Sequence, residues 1–180
     1  MAFKRPPIGR TTCLTLVACF ALIVDGRGQA AQSRTPVYGF RVVKTYPHDP
    51  EAYTQGLIYR DGFLYESTGR HGHSTLRKVA LETGAVVQEE RLDSKYFAEG
   101  LTEWNRRLIQ LTWDSNLAFV YEVASFRLER TFHYSGEGWG LTHNDARLIM
   151  SDGSDTLRFM DPGTFRSASA SRCKPTARRS

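Results

Sequence analysis

The central part of this sequence has no cysteine and no sustained helical periodicity. The three cysteines, Cys13, Cys19 and Cys173, all lie outside residues 31–165. A body without cysteine has no disulfide bonds, so buried apolar surface must hold it together. No segment repeats apolar residues with a period of 3.6, so we expect little helix. The G-x-S-x-G motif of many hydrolases and the glycine-rich phosphate loop are also missing.

The body also lacks an excess of basic charge, although the whole chain carries a formal net charge of +5. Residues 1–30 hold four basic groups and one acidic group, and residues 166–180 hold five basic groups and no acidic group. The 15 basic and 18 acidic groups that remain give residues 31–165 a net charge of −3. Nucleic-acid binding needs Lys and Arg clustered on a folded face, so the composition does not support it.

The N-terminal segment has the pattern of a secretory signal peptide over residues 1–30. Basic residues precede an apolar run from Thr11 to Val24, and Gly28-Gln29-Ala30 offers small residues at a cleavage point. Cys19 is an alternative lipoprotein cleavage site, but the apolar run continues five residues past it. We therefore expect a secreted or periplasmic protein with no membrane contact after cleavage, and a polar linker over residues 31–36.

A pattern about 40 residues long occurs three times in the body. Its copies begin at Gln55-Gly56-Leu57, Glu99-Gly100-Leu101 and Trp139-Gly140-Leu141, which are spaced by 44 and then 40 residues. Each copy continues, at the same offsets, with an apolar pair and then a three-residue segment, which is Ser67-Thr68-Gly69, Leu111-Thr112-Trp113 or Ser151-Asp152-Gly153. Such a period is typical of a repeated β-sheet unit, most often a propeller blade. The sequence therefore predicts an all-β fold, a partial β-propeller over residues 37–165.

The residue before each Gly-Leu pair differs between the copies, because it is Gln55, then Glu99, then Trp139. A position needed only for packing should hold one type of side chain in every copy. In a propeller the innermost strand of each blade lines the central channel. We therefore expect these three unlike groups to converge on a shared site.

Two segments flank the repeats. Phe40–Tyr46 alternates like a strand with one exposed face and is similar to Phe126–Phe132, so we expect an outer strand that completes the last blade. Residues 166–180 contain no bulky apolar residue where the third copy should have its fourth strand. Such a composition predicts an aberrant, disordered tail.

Five motifs follow one another in a fixed order along the body. They are Tyr53-Thr54-Gln55-Gly56-Leu57, Leu64-Tyr65-Glu66-Ser67-Thr68-Gly69, Phe97-Ala98-Glu99-Gly100-Leu101-Thr102, Gly138-Trp139-Gly140-Leu141 and Ser151-Asp152-Gly153. Together they closely resemble the plant and bacterial type of glutaminyl-peptide cyclotransferase, over roughly Val37 to Phe165. The resemblance implies a five-bladed β-propeller, truncated at its C-terminus, of which about three blades are present. It also implies an acyltransferase that converts N-terminal glutamine to pyroglutamate with release of ammonia.

The resemblance assigns roles to residues of this chain. Glu99 falls on the position of the catalytic acid/base. The positions that line the substrate pocket are Tyr53, Gln55, Phe97, Trp113 and Trp139. No cofactor is implied, and the catalytic zinc of the unrelated animal enzyme is not part of this family. The implied partner is a peptide or protein with an N-terminal Gln, bound by a monomer.

The chemistry explains why a carboxylate between aromatic residues would suit this reaction. The α-amine, with a pKa of about 8, must lose a proton before it attacks the side-chain amide carbon, and the amide nitrogen must gain one to leave as ammonia. One carboxylate can do both if its pKa is raised towards neutrality, and aromatic walls raise it by excluding water. Trp113 and Trp139 next to Glu99 would provide such walls.

Each of these residues also has an explanation without function. Glu99 is then a solvated carboxylate at the start of a strand, Gln55 satisfies a neighbouring backbone group, and Trp113 and Trp139 belong to the core. The corresponding alternative for the whole protein is a non-catalytic secreted propeller that binds a peptide or glycan in its central channel.

Two further segments have the spacing of metal sites. His71-Gly72-His73 looks like a metal-binding pair, but it lacks a third ligand nearby, which favours an exposed loop. Asp152-Gly153-Ser154-Asp155 is similar to a calcium loop, although a tight turn between strands explains it better.

Overall fold

The computed structural model describes residues 36–173, which form twelve β-strands in three four-stranded antiparallel sheets. The strands of the first sheet are β1 (Thr54–Arg60), β2 (Phe63–Thr68), β3 (Thr75–Ala80) and β4 (Val86–Arg91). Those of the second are β5 (Ala98–Trp104), β6 (Arg107–Thr112), β7 (Leu117–Glu122) and β8 (Leu128–His133). Those of the third are β9 (Leu141–His143), β10 (Leu148–Met150), β11 (Thr156–Met160) and β12 (Ser167–Arg172).

Each sheet is one copy of the sequence repeat. Its strands are hydrogen-bonded in chain order, from the strand that carries the Gly-Leu pair outwards. Within residues 36–173 there is no helix, and hence none long and apolar enough to cross a membrane. The predicted all-β fold with repeated units is confirmed.

Turn residues connect the first two strands of the first and second sheets. Asp61 and Gly62 have φ angles of 49° and 82°, as the two residues of a type I′ hairpin turn require. Asn105 and Arg106 have φ angles of 49° and 60° at the equivalent turn. Asn tolerates the left-handed region better than most residues, which fits the turn predicted near Asn105.

The second sheet buries both of its faces. Its first face packs against the first sheet in a cluster that contains Tyr65, Leu76, Leu101, Leu108, Phe119, Tyr121, Val123 and Phe126. Its second face packs against the third sheet in a cluster that contains Ile109, Leu111, Ala118, Val120, Tyr134, Leu141, Leu148, Met150, Met160 and Phe165. Burial on both faces explains why Ala118–Tyr121 is apolar without alternation.

A close contact between Gly and Leu joins each inner strand to the next. A methyl group at Gly56 would lie 2.5 Å from the backbone nitrogen of Leu101, and one at Gly100 would lie 2.5 Å from that of Leu141. Only glycine allows such an approach. Leu101 and Leu141 are buried in these contacts, with 4% and 8% of their surface exposed.

The same contact is open at both ends of the described stack. Leu57 is the first leucine of the series, and 53% of its surface is exposed. Gly140 is the last glycine, and a methyl group there would contact only the Ser151 hydroxyl, at 2.9 Å. The recurring Gly-Leu pair is therefore explained by packing between sheets.

The prediction of an outer strand at Phe40–Tyr46 is wrong, because residues 36–49 form no strand. A strand requires a hydrogen-bonded neighbour, and this segment pairs with none of the three sheets. Its side chains contact the first sheet instead. Lys44 Nζ lies 3.1 Å from Glu82 Oε2, and His48 Nε2 lies 2.9 Å from Glu66 Oε1.

The disorder predicted for residues 166–180 is wrong for Ser167–Arg172, which forms β12 and pairs with β11. All six side chains of β12 are exposed, so backbone hydrogen bonds rather than burial hold this strand. An edge strand needs one neighbour, and small Ser and Ala side chains do not hinder the pairing. Residues 174–180, the predicted signal peptide 1–30 and residues 31–35 of the linker lie outside the described residues.

Candidate active site

The variable residues of the repeat lie at irregular points of the inner strands. The pairing of β1 with β2 is interrupted at Gln55, and that of β5 with β6 is interrupted at Glu99-Gly100. Such β-bulges turn a side chain away from the regular alternation of its strand. Trp139 precedes β9, where its backbone nitrogen donates to the carbonyl oxygen of Ser151 at 3.0 Å. All three copies therefore depart from regular pairing at the position whose side chain varies.

Close packing brings the first two copies together around Gly69. A methyl group at Gly69 would collide with the ring of Phe97 and would lie 2.9 Å from Cγ of Gln55. The third copy is joined to the second by the backbone nitrogen of Gly100, which donates to the carbonyl oxygen of Trp139 at 2.7 Å. The ends of the inner strands that carry Gln55, Glu99 and Trp139 are thus adjacent.

Aromatic rings line this end of the sheets through edge-to-face contacts. The ring of Phe97 lies 6.3 Å from that of Tyr53 and 5.7 Å from that of Trp113, centroid to centroid. Trp113 is held by its backbone nitrogen, which donates to the carbonyl oxygen of Phe97 at 2.9 Å. The structure therefore places Tyr53, Phe97 and Trp113 in one row.

The two tryptophans are not part of the core. Trp113 is 37% exposed and Trp139 is 48% exposed. The explanation of these residues as core packing is therefore wrong. Both indole rings are partly covered, Trp113 by Phe97 and Trp139 by Gly153, and the rest of each side chain is accessible to a ligand.

Glu99 is half-buried, and the charged group that acts on it is another carboxylate. Burial, and secondly the negative charge of Glu137, raise the pKa of Glu99 from 4.5 to about 7. No cation and no hydrogen bond contributes to this shift. The explanation of Glu99 as a well-solvated carboxylate is inconsistent with this environment. Near neutral pH the group is present in both protonation states, as an acid/base requires.

Glu137 belongs to this cluster, and the sequence interpretation missed it. Its Oε2 accepts a hydrogen bond from Nε1 of Trp113 at 2.8 Å and a second from Nε1 of Trp139 at 2.8 Å. These two bonds lower the pKa of Glu137, that with Trp139 having the larger effect. A signal was available, because Glu137 occupies the position of Tyr53 and Phe97 in the third copy. The comparison of copies that selected Gln55, Glu99 and Trp139 selects it too, two residues earlier.

The two segments with metal-site spacing have other roles here. The ring of His71 packs against that of Phe97 at 5.5 Å. Asp152 Oδ1 accepts hydrogen bonds from the backbone nitrogen and the hydroxyl of Ser154, at 3.2 and 2.6 Å, as in a tight turn. Within residues 36–173, no three His, Cys, Asp or Glu side chains are grouped as metal ligands would be.

One large cleft of the described residues lies elsewhere. It has a volume of about 650 Å³ and is found at the opposite ends of β1, β5 and β9, where Trp104 and His143 line it. None of the six predicted site residues takes part in it.

Comparison with known proteins points to one family. Residues 14–178 match the family described as glutamine cyclotransferase. A glutaminyl-peptide cyclotransferase of Arabidopsis thaliana is 45% identical over 127 residues, which make up 69% of this chain and 40% of that protein. The chain thus spans well under half the length of this curated relative.

Solved structures give the same result for the fold. The crystal structure of glutaminyl cyclase from Myxococcus xanthus matches with a TM-score of 0.68 and 42% identity, over 74% of this chain and 56% of that one. The WD40 domain of Neurospora crassa Pan2 matches with a TM-score of 0.56 and 13% identity, over 66% of this chain and 36% of that one, which shows the fold alone. The three sheets form an incomplete β-propeller.

Proposed function

This chain belongs to the glutamine cyclotransferase family, and we propose that it carries the acid/base end of a glutaminyl-peptide cyclotransferase site. The reaction converts an N-terminal Gln of a peptide or protein to pyroglutamate and releases ammonia. The observation that carries the proposal is the half-buried carboxyl group of Glu99, whose pKa is raised by burial and by the charge of Glu137, the carboxylate that accepts hydrogen bonds from both indole groups. This is the environment that the reaction needs.

Glu99 moves the proton in the proposed mechanism. The α-amine of the substrate attacks its own side-chain amide carbon, so a nitrogen–carbon bond forms and the bond to the amide nitrogen then breaks. The carboxylate of Glu99 accepts the proton that the amine loses and returns it to the amide nitrogen, which leaves as ammonia. No net proton is gained or lost by the protein.

The pKa of Glu99 suits both halves of this transfer. An ordinary Glu with a pKa near 4.5 is a weak base towards an amine whose pKa is about 8. With its pKa raised to about 7, Glu99 is a stronger base and, once protonated, can still release the proton at neutral pH. Burial is the main cause of the rise, so a bound substrate acts in two ways: exclusion of water raises the pKa of Glu99, and a protonated α-amine lowers it.

The aromatic row holds the substrate next to this carboxyl group. Trp113 and Trp139 are partly exposed and can contact the aliphatic part of a Gln side chain. Tyr53 and Phe97 extend the same surface. Gln55 offers an amide donor and acceptor for the polar end of the substrate.

A synthetic peptide with an N-terminal Gln tests the proposal on the full chain. We expect ammonia release, and we expect Glu99→Gln to reduce it about 10²- to 10⁴-fold, the contribution usual for a general acid/base. Glu103→Gln is the matched control, because Glu103 lies on the same strand, is partly buried and is paired with Arg60 at 2.5 Å. Its turnover should match that of the unchanged chain.

Two results would reject the proposal. Equal loss of turnover in both variants would show that the carboxyl group of Glu99 has no special role. Binding of the peptide without turnover would instead support the non-catalytic propeller.

We also propose that the protein is exported and acts as a monomer. The signal-peptide pattern of residues 1–30 supports export. Determination of the mature N-terminus after expression with the native leader tests it, and retention of residue 1 would contradict it. Light scattering of the purified chain tests the monomer.

A further inference from the structure

One carboxylate oxygen of Glu137 joins the two exposed indole rings of the site. Glu137 lies in the short connection between β8 and β9, and its Oε2 is 2.8 Å from Nε1 of Trp113 and 2.8 Å from Nε1 of Trp139. Trp113 follows β6 in the second sheet, whereas Trp139 precedes β9 in the third. The carboxylate therefore ties together side chains from two different sheets.

We propose that Glu137 is a positioning residue of this site, which fixes the two indole rings through a shared acceptor and holds a negative charge near Glu99. The inference rests on the proposed function, because the site it serves is that of Glu99. Glu137 itself transfers no proton in the reaction.

The need for such an anchor follows from the exposure of the rings. Side chains of the core are held in one rotamer by their neighbours, whereas Trp113 and Trp139 are 37% and 48% exposed and are held by packing only in part. An indole has one polar group, the Nε1–H donor, and this donor fixes the ring orientation when it has a partner. A carboxylate acceptor gives charge-assisted bonds, which are about twice as strong as neutral ones. Both rings are thereby held as walls of the site.

The repeat shows that this arrangement is not required by the fold. The position of Glu137 is aromatic in the first two copies, where it is Tyr53 and Phe97. The position of Trp113 is glycine in the other two copies, at Gly69 and Gly153. Packing of the repeated sheet therefore allows other residues at the positions of Trp113 and Glu137. The Trp113–Glu137–Trp139 cluster occurs where the second and third sheets meet.

The charge of Glu137 also acts on Glu99. The two indole bonds keep Glu137 ionised by lowering its pKa, and its negative charge adds to the burial that raises the pKa of Glu99. Two other titratable groups lie near this cluster. Asp152 opposes the ionisation of Glu137, and the pKa of Tyr134 is raised mainly by burial and to a small extent by the charge of Glu99. Asp152 is itself close to a cation, with Oδ2 3.4 Å from Nε of Arg158.

Indole NMR of the full chain tests the positioning role without reference to turnover. The chain has three tryptophans, so ¹⁵N-tryptophan labelling gives three Nε1–H signals, and Trp104, at the far end of β5, is the internal reference. We expect Glu137→Gln to shift the signals of Trp113 and Trp139 and to leave that of Trp104 in place. Glu137→Asp should restore part of the shift. Unchanged signals for both rings would overturn the proposal.

Loss of all three signals would mean that Glu137→Gln does not fold. The proposal is then tested on the unchanged chain, by following its indole signals in a titration from pH 6 downwards. The signals of Trp113 and Trp139 should move together, with a common midpoint below the usual pKa of Glu, because one carboxylate serves both. Separate midpoints for the two rings, or none, would contradict a shared acceptor.

The electrostatic part is tested by titrating Glu99 directly with ¹³C-labelled glutamate. Loss of the Glu137 charge should lower the pKa of Glu99 by about 0.5–1 unit in Glu137→Gln, the size expected for one like charge beside a half-buried group. Glu137→Asp keeps the charge and should keep the pKa of Glu99. Glu122→Gln is the control, because Glu122 lies opposite Arg107 in the strand register of β6 and β7, at the end of the second sheet away from the site.

Kinetics separate this inference from the proposed function. If the enzyme is active, the acid limb of kcat/KM should move to lower pH in Glu137→Gln and stay in place in Glu122→Gln. Turnover with an unmoved limb would reject the role of Glu137 and leave the proposed function intact. Indole and Glu99 shifts as expected, without ammonia release from the unchanged chain, would reject the proposed function alone.

Discussion

The first and second sheets have the same inner-strand motif, yet its leucine is buried in the second sheet and exposed in the first. Leu101 in β5 is 4% exposed, because β1 and its sheet cover it. Leu57 in β1 occupies the equivalent position and is 53% exposed. The sequence repeat therefore determines the structure of each sheet, whereas the neighbouring sheet determines how much stability a residue contributes. This agrees with the nearest-neighbour energetics of repeat proteins.

The leucine pair gives the largest expected effect. Leu101→Ala should reduce the free energy of unfolding by about 2–5 kcal/mol, the usual cost of truncating a buried leucine. Leu57→Ala should change it by less than about 0.5 kcal/mol, as for most exposed positions. Urea unfolding of the full chain and both variants measures the difference. Equal losses would mean that Leu57 is as well covered as Leu101, and the comparison would fail.

The glycines of the same motif sharpen the comparison with a smaller effect. A methyl group at Gly100 would lie 2.5 Å from backbone atoms of the third sheet, whereas one at Gly140 would meet a single side-chain hydroxyl. Gly100→Ala should cost about 1–3 kcal/mol through overpacking. Gly140→Ala should cost less, because the Ser151 hydroxyl can rotate away. Thermal unfolding of the two variants tests this order, and a larger loss at Gly140 would contradict it.

Glu99 lies next to these packing residues. Its substitution should have the smallest effect on the free energy of unfolding, and should raise it rather than lower it. The folded protein binds the Glu99 proton more tightly than the unfolded chain does, since the pKa is raised to about 7. Between pH 4.5 and about 7 the free energy of unfolding therefore falls as pH rises, and above pH 7 it is constant in this respect. Glu99→Gln should remove this penalty.

The expected gain for Glu99→Gln is about 1–2 kcal/mol at pH 8, after allowance for solvent screening of a half-exposed group. At pH 4 the variant and the unchanged chain should be equally stable. Urea midpoints at both pH values measure the effect. A variant that is less stable at pH 8 would show that the charged form of Glu99 is favoured by the fold, contrary to the proposed mechanism.

Much of the fold could be predicted from the sequence because the repeat is local. Spacing of the Gly-Leu pairs, and turn residues such as Asp61-Gly62, depend on short-range backbone preferences that any copy shows by itself. The two errors concern strand pairing. Phe40–Tyr46 has the pattern of a strand but no partner among the described sheets, whereas Ser167–Arg172 lacks apolar residues but has β11 beside it. Hydrogen bonding to a neighbour decided both cases.

The site was only partly predictable. Comparison of the copies singled out Gln55, Glu99 and Trp139, because unlike residues at an equivalent position cannot be explained by packing. Glu137 was missed although it replaces the aromatic residue of the other two copies, because the hydrogen bonds that explain this change join two sheets and are not visible in the sequence. The charge that it adds near Glu99 is likewise a property of the assembled sheets.

The contact between Gly and Leu is asymmetric, because one sheet contributes the glycine and the next contributes the leucine. The described stack therefore has an uncovered glycine, Gly140, at one end and an uncovered leucine, Leu57, at the other. A tandem duplication of one sheet at either end would extend the series by repeating an existing interface, and would leave the same unlike ends. Addition of a sheet during evolution therefore requires no new type of interface. The residue that precedes each glycine can change without altering the contact between Gly and Leu.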